Sequence, residues 1–400
     1  MKQLKENLDL ILFFLYFTFV FFSAALKNVI IYSNFIDEFI LILIFLIFFL
    51  NKENFEKIIF YYKNNIFLFI LIIYILCCLF FWKKFDYENL LRVKYYLMHI
   101  IFFSIISSIS SFKINYEKIE KVLFILLFAS MLFGLFNFVL QDNFLNFFYY
   151  DIGSLNVSYH NTNSRLVSLF GNPINFGFIC NIFLIYLIYK FKLKNNFKYI
   201  LILITLIILF STFSRLAYVA FGFTFLIYLI INKKYKTILF FLILITTYAL
   251  FATQIINFLL IYQGNNFFIL FLKRMDDLMS LQFLGNYFQQ LFVFNYLINK
   301  FSFIFLIGNG FDFLGWGGGD RFLLEFSFAT ILYEIGFIGL ILYIIIFLDY
   351  IKNVIYNPNI LDLNILIIVA LYGLLNNGLI YNPYSLIFLY HYQKVKFQND

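Results

Sequence analysis

Apolar runs of about 20 residues, the length at which a helix crosses the hydrocarbon core of a bilayer, recur along the whole 400-residue chain. Eleven are clear, at about 8–26, 35–50, 65–82, 95–112, 119–140, 166–189, 197–213, 215–231, 237–257, 326–348 and 361–380, and a weaker twelfth covers 384–392. Lipid offers no hydrogen-bond partner to a bare backbone, so such segments must satisfy their own amides as helices. The expected fold is therefore all-α: a polytopic integral membrane helical bundle of about 11–12 transmembrane helices. Composition excludes the main alternative. With 64% hydrophobic residues, 12% charged residues and a mean hydropathy of +0.90, the chain has too little polar surface for a water-soluble globule of this size. The wealth of Phe, Ile, Tyr, Asn and Lys also fits A/T-rich coding, so the aromatic content alone marks no site.

Basic residues accumulate in cytoplasmic connections. With the N-terminus inside, eighteen of the 29 Lys and Arg fall on the inner side and eleven on the outer. Twelve crossings then leave both termini cytoplasmic. The connection holding Lys83, Lys84, Arg92 and Lys94 runs against the trend. A second reading of the N-terminus is a cleaved signal peptide, since Lys2 and Lys5 precede an apolar run that ends in Ser23, Ala24 and Ala25. Cys77, Cys78 and Cys180 lie inside apolar runs, without disulfide spacing or nearby histidines, and read as inert thiols.

All five arginines, Arg92, Arg165, Arg215, Arg274 and Arg321, fall on the outer side of this topology, against twenty-four lysines distributed over both. Lysine suffices for topology, whereas the planar guanidinium fork suits the gripping of a carboxylate or phosphate in fixed orientation. The outer side is thus the chemical side. Two outer connections are long: 141–165, which carries Asp142, Asp151 and His160, and 258–325, the largest non-spanning stretch. Between Phe267 and Phe303 apolar residues recur at three and four, the pattern of amphipathic helices at a membrane surface. The glycine-rich turn GNGFDFLGWGGGD follows at Gly308–Asp320; it lacks the strand, lysine and helix order of a phosphate-binding P-loop. The chain divides into an N-terminal transmembrane bundle (1–140), helices bearing the motif arginines (141–257), a large loop (258–325) and C-terminal transmembrane helices (326–400). It shows neither a metal-ligand cluster nor a nucleic-acid signature.

The run RLVSLFGNPINFG from Arg165, FSTFSRLAYVAF around Arg215, a long outer loop closing on Gly308 and Gly310, and EFSFATILYEIGFIGL from Glu325 together resemble the O-antigen polymerase and O-antigen ligase superfamily. The resemblance covers roughly 165–340. It implies a bacterial inner-membrane glycosyltransferase with its large loop periplasmic. The implied donor is a glycan on undecaprenyl pyrophosphate and the acceptor a second glycan, with no metal or other cofactor and with a chain-length regulator as a possible protein partner besides the membrane lipids.

The resemblance assigns diphosphate binding to Arg165 and Arg215, with Arg274 and Arg321 as further candidates, and the base to Glu325 or Asp320. Ligases of the family carry a histidine nine residues before the glutamate of a Glu-x-Gly; here Glu325 stands nine residues before Glu334 and eleven before Gly336. Polymerase-like relatives have an acidic residue there, which favours polymerase over ligase. Relatives also carry a later loop arginine, where this chain has Asn286, Gln289 and Lys300. Each assignment has a structural alternative: arginines snorkel to headgroups, Arg274 sits beside Asp276 and Asp277, and Glu325 can stabilise a helix N-terminus. Glu334, deep in a span, is expected to bond a neighbouring helix. His99 is expected to bond across helices, and Asn172 with Pro173 to form a packing kink. The alternative from another class is a lipid-linked oligosaccharide flippase or other transporter, which calls for internal repeats and charges at mid-membrane depth.

Overall fold

A computed structural model describes residues 2–22, 25–26, 42, 53–81, 87–109, 116–148, 158–159, 163–191, 193–263, 267–279, 303–308, 327–356, 358–375 and 384–397. The described residues are helical apart from short connections and one two-residue strand pair. In chain order the helices are α1 Lys2–Phe21, α2 Glu53–Asn64, α3 Ile66–Phe81, α4 Tyr87–Ile109, α5 Tyr116–Leu140, α6 Asp142–Phe148, α7 Pro173–Tyr189, α8 Asn195–Ser211, α9 Arg215–Ile231, α10 Tyr235–Gln263, α11 Phe267–Met279, α12 Phe303–Ile307, α13 Ser327–Tyr356, α14 Ile360–Leu375 and α15 Tyr384–Phe397. A 3-10 turn covers Ser168–Phe170, and Ser158–Tyr159 pairs antiparallel with Asn163–Ser164.

Among the described residues, α5 and α13 are each long and apolar enough to cross a membrane. The number rises to four if two bent pairs, broken by 100° at Asn65 and by 47° inside α10, each count as one span. The seven consecutive residues Leu239–Ile245 of α10 all expose their apolar side chains. Such a surface is stable against acyl chains and costly in water, so the chain is membrane-associated.

Two compact units divide the chain. The first comprises Met1–Phe21, Ser33–Leu123 and Tyr287–Asp400; the second comprises Phe22–Tyr32 and Phe124–Asn286. In the first, Tyr16 of α1 stacks on Phe102 of α4 at 3.6 Å between ring centroids, while its hydroxyl meets His99 Nδ1 at 2.8 Å. The expected cross-helix role of His99 is thus present. The final helix α15, the weakest span by hydropathy, is buried along almost its whole length. Near its end the Lys394 ammonium lies 2.8 Å from Glu120 of α5 and 2.9 Å from Asp362 of α14, and the His391 ring lies 3.7 Å from that same Asp362 oxygen. Burial opposes the lysine charge, but Asp362 and Glu120 outweigh it and raise the pKa of Lys394.

Helix α13 is broken at Gly336, whose φ of 74° and ψ of −174° no helix contains. Gly308 and Gly336 let the backbone after α12 press against the break: a Cβ on Gly336 would collide with the Leu306 carbonyl, and one on Gly308 with the Glu334 carbonyl. A broken ladder frees carbonyls, which in an apolar surrounding need donors. The Tyr74 hydroxyl of α3 lies 2.6 Å from the Ile335 carbonyl and 2.9 Å from that of Leu306.

The second unit is built around α7, buried from Phe176 to Leu187. Asn181 fastens it to α9, its Nδ2 donating to the carbonyls of Gly177 and Ala217 at 3.0 and 3.1 Å. The hydropathy pattern places a span from about 166, yet α7 starts only at Pro173. Asn172 is the N-cap, accepting from Ile174 N at 2.8 Å, and proline occupies the first helical position. This pair opens a helix rather than kinking one, because proline lacks the N–H that a first turn does not need.

Candidate functional site

Residues 165–168 form a short loop of the second unit that is tied to two helical elements at once. Towards α5, the Asn137 Oδ1 accepts the backbone N–H groups of Val167 and Ser168 at 3.0 and 3.2 Å, and the Ser168 hydroxyl donates to the Ser130 carbonyl at 3.1 Å. Towards the turn between α8 and α9, the Leu166 N–H donates to the Ser211 carbonyl at 3.2 Å. Arg165 adds its guanidinium, with Nε donating to the Thr212 carbonyl at 3.1 Å and Nη2 to that of Phe213 at 3.4 Å.

These carbonyls end α8, where the last turn leaves acceptors unsatisfied and the helix dipole is negative. A cation is at home there. The fork also holds an unusual backbone: Phe213 has φ 48°, in the left-handed region, and so does Ser168 with φ 49°. Bulky side chains rarely adopt it, at a cost of about 1–2 kcal/mol, and such residues persist where surrounding bonds over-determine them. Immediately after Phe213, Ser214 caps α9 by accepting the Ala217 N–H at 3.3 Å, and Arg215 takes the first helical position, half-buried.

The two arginines assigned to diphosphate binding therefore meet at one turn. Their places differ, since Arg165 is buried with its fork on two carbonyls, whereas Arg215 is half-buried at the first position of α9, where oriented N–H groups favour an anion. The helix that carries Arg274 packs near the same turn. Phe271, one helical turn before that arginine, packs its ring on Phe210 and Tyr218 with centroids 5.4 and 5.7 Å apart, and the Tyr248 hydroxyl holds the Leu272 carbonyl at 2.6 Å. Arg274 itself pairs with Asp277 at 3.3 Å, the local ion pair that its neighbouring aspartates imply; Asp277 is well exposed, so the pair adds little stability.

Glu325, Asp320 and Arg321 lie outside the described residues, as do His160, Asn286, Gln289 and Lys300; Arg92 is described only as backbone within α4. Glu334 is buried in the first unit and accepts the Tyr96 hydroxyl at 2.5 Å, the helix-to-helix bond expected of it. Among the described residues no group of His, Cys, Asp and Glu has metal-binding geometry.

Sequence reasoning missed Asn137 and the buried cluster of Glu120, Asp362 and Lys394. The signal existed for the first: an asparagine inside the apolar run 119–140 is costly in lipid unless its amide is used. For the cluster, each charge sits near the end of a run, where hydropathy alone does not separate a solvated charge from a paired one. No protein-family model matches the chain, and it has no counterpart among the characterised proteins with which it was compared.

Proposed function

We propose that the chain is a polytopic glycosyltransferase of a bacterial inner membrane that joins oligosaccharide repeat units carried on undecaprenyl pyrophosphate, working at the periplasmic face as an O-antigen or surface-polysaccharide polymerase. The observation that carries this reading is the convergence of Arg165, Arg215 and the Arg274 helix on the turn between α8 and α9. Cleavage of a sugar–phosphate bond builds negative charge on the departing diphosphate, and prepositioned guanidinium groups at a helix N-terminus stabilise that charge as it forms.

In this reading the acceptor hydroxyl attacks the anomeric carbon of the donor sugar while the bond from that carbon to the phosphate oxygen breaks. The hydroxyl proton passes to a carboxylate, the role the resemblance gives to Glu325 with Asp320 as second candidate. Electrons of the broken bond leave on the diphosphate, held by Arg215 with Arg274 and Arg321 as further ligands. Attack from the opposite face inverts the anomeric centre and requires no metal. A ligase transferring the glycan to lipid A-core or to protein would use the same donor chemistry.

Deleting the gene and resolving surface polysaccharide by gel tests the reading. A polymerase deletion leaves lipid A-core bearing a single repeat unit. Bare core with accumulating lipid-linked polymer would replace polymerase by ligase, and an unchanged polysaccharide profile would end both.

A flippase or other transporter is the second reading, and one observation favours it: the buried charges of Glu120, Asp362 and Lys394. Single repeat units stranded on the cytoplasmic leaflet in the deletion strain would identify it.

A further inference from the structure

Asn137 lies in an apolar helix, is wholly buried and has half of its amide unused. Its Oδ1 is occupied by the N–H groups of Val167 and Ser168, whereas its Nδ2 has no acceptor among the described residues. Reversing the amide would aim two donors at two donors, so the orientation follows from the chemistry. A buried donor pair without an acceptor is unfavourable unless something arrives to accept it.

What arrives is constrained by the surroundings. The amide sits against a loop whose first side chain is the Arg165 guanidinium, and that guanidinium reaches the turn that leads into Arg215 and the N-terminus of α9. With the Val167 and Ser168 N–H groups taken by Oδ1 and the Arg165 fork engaged with two carbonyls, what this region brings to a ligand is the Asn137 Nδ2 and the positive end of α9, and that ligand should be rich in acceptors. An oxyanion satisfies this best; a sugar hydroxyl would need acceptors as well as donors from the protein.

We propose that the Asn137 carboxamide is a ligand-binding donor of this site, its Nδ2 meeting an oxygen of a diphosphate while its Oδ1 holds the loop in place. This rests on the diphosphate reading above and adds to it a residue on a different helix, α5. The two functions sit on two atoms of one side chain and are separable. Asn137→Asp is nearly isosteric, retains an acceptor for Val167 and Ser168, and replaces the donor by an acceptor that repels an anion.

The test is titration of purified protein in nanodiscs with farnesyl diphosphate and with inorganic pyrophosphate, read by thermal shift and by calorimetry. Wild-type protein is expected to bind at least the lipid-linked probe. Asn137→Asp is expected to melt close to the wild type without ligand and to bind at least about tenfold more weakly, the loss of roughly one charge-assisted hydrogen bond. Equal affinity in the two proteins overturns the proposal for Asn137 and leaves the arginine site standing. A wild type that binds neither probe overturns the diphosphate reading and this proposal with it. Should Asn137→Asp fail to fold, wild-type protein labelled with 15N-asparagine carries the test: diphosphate must shift a side-chain amide signal that is missing from Asn137→Ser, and an unmoved signal overturns the assignment.

Discussion

The hydroxyl of Tyr96 in α4 donates to the carboxylate of Glu334 in α13 across 2.5 Å, two buried groups joined over 238 positions of sequence. The bond lies two residues before the break at Gly336. Tyr96→Phe removes the donor and leaves a buried carboxylate short of a partner, a loss of about 1–3 kcal/mol. Thermal unfolding in nanodiscs measures it. Glu334→Gln, which still accepts from the tyrosine, should lose less, and equal losses would show that the bond itself contributes little.

Gly336→Ala is expected to abolish folding or to cost more than about 3 kcal/mol, since the added Cβ combines a left-handed backbone with a collision against the Leu306 carbonyl. Gly222 in α9 is the internal control. A Cβ there meets nothing within 4 Å, and alanine should be neutral or stabilising by up to about 1 kcal/mol. Yield and melting temperature of the two variants, compared side by side, decide whether the break is built in.

Lys394→Met leaves Glu120 and Asp362 buried together without their shared cation, an expected loss of about 3–5 kcal/mol. Adding Asp362→Asn should recover part of it, because one of the two stranded charges is gone. A double variant as unstable as the sum of the singles would refute the coupling. The raised pKa of Lys394 sets the pH behaviour: its contribution is complete below the ordinary lysine value of 10.5 and is lost only as pH climbs through the higher value of the folded state. Stability near neutrality should therefore not depend on this group's titration.

Lysine in place of either arginine at the α8–α9 turn separates holding from gripping. Arg165→Lys loses the two-carbonyl fork on Thr212 and Phe213 and should destabilise the unit by about 1–3 kcal/mol. Arg215→Lys should melt near the wild type yet bind farnesyl diphosphate more weakly by about tenfold or more, as a point charge replaces a bidentate one. Full activity of Arg215→Lys in polymer synthesis would mean that a point charge suffices there.

Helix content and approximate positions were legible in the sequence because they depend on local quantities. An apolar run in lipid must close its own hydrogen bonds, whereas the caps that start α7 and α9, Asn172 with Pro173 and Ser214, emerged only from the structure, the first pair having read as a kink inside a longer run. The grouping of Arg165 with Arg215 was also legible, from their places at the mouths of successive apolar runs.

The partners were not. Hydropathy says that Glu120, Asp362 and Lys394 interrupt apolar patterns, but not that one ammonium lies between two carboxylates from helices more than two hundred residues apart. It marks Asn137 as an expensive residue without revealing that its oxygen holds a loop 30 residues downstream. It made Arg165 a phosphate ligand, where the tertiary structure commits its fork to two carbonyls of another turn. Burial is a property of a segment and is written along the chain. The choice of which buried polar group answers which other is made only when helices pack, because in a low-dielectric interior each must find its complement among whatever the fold brings within 3 Å or so.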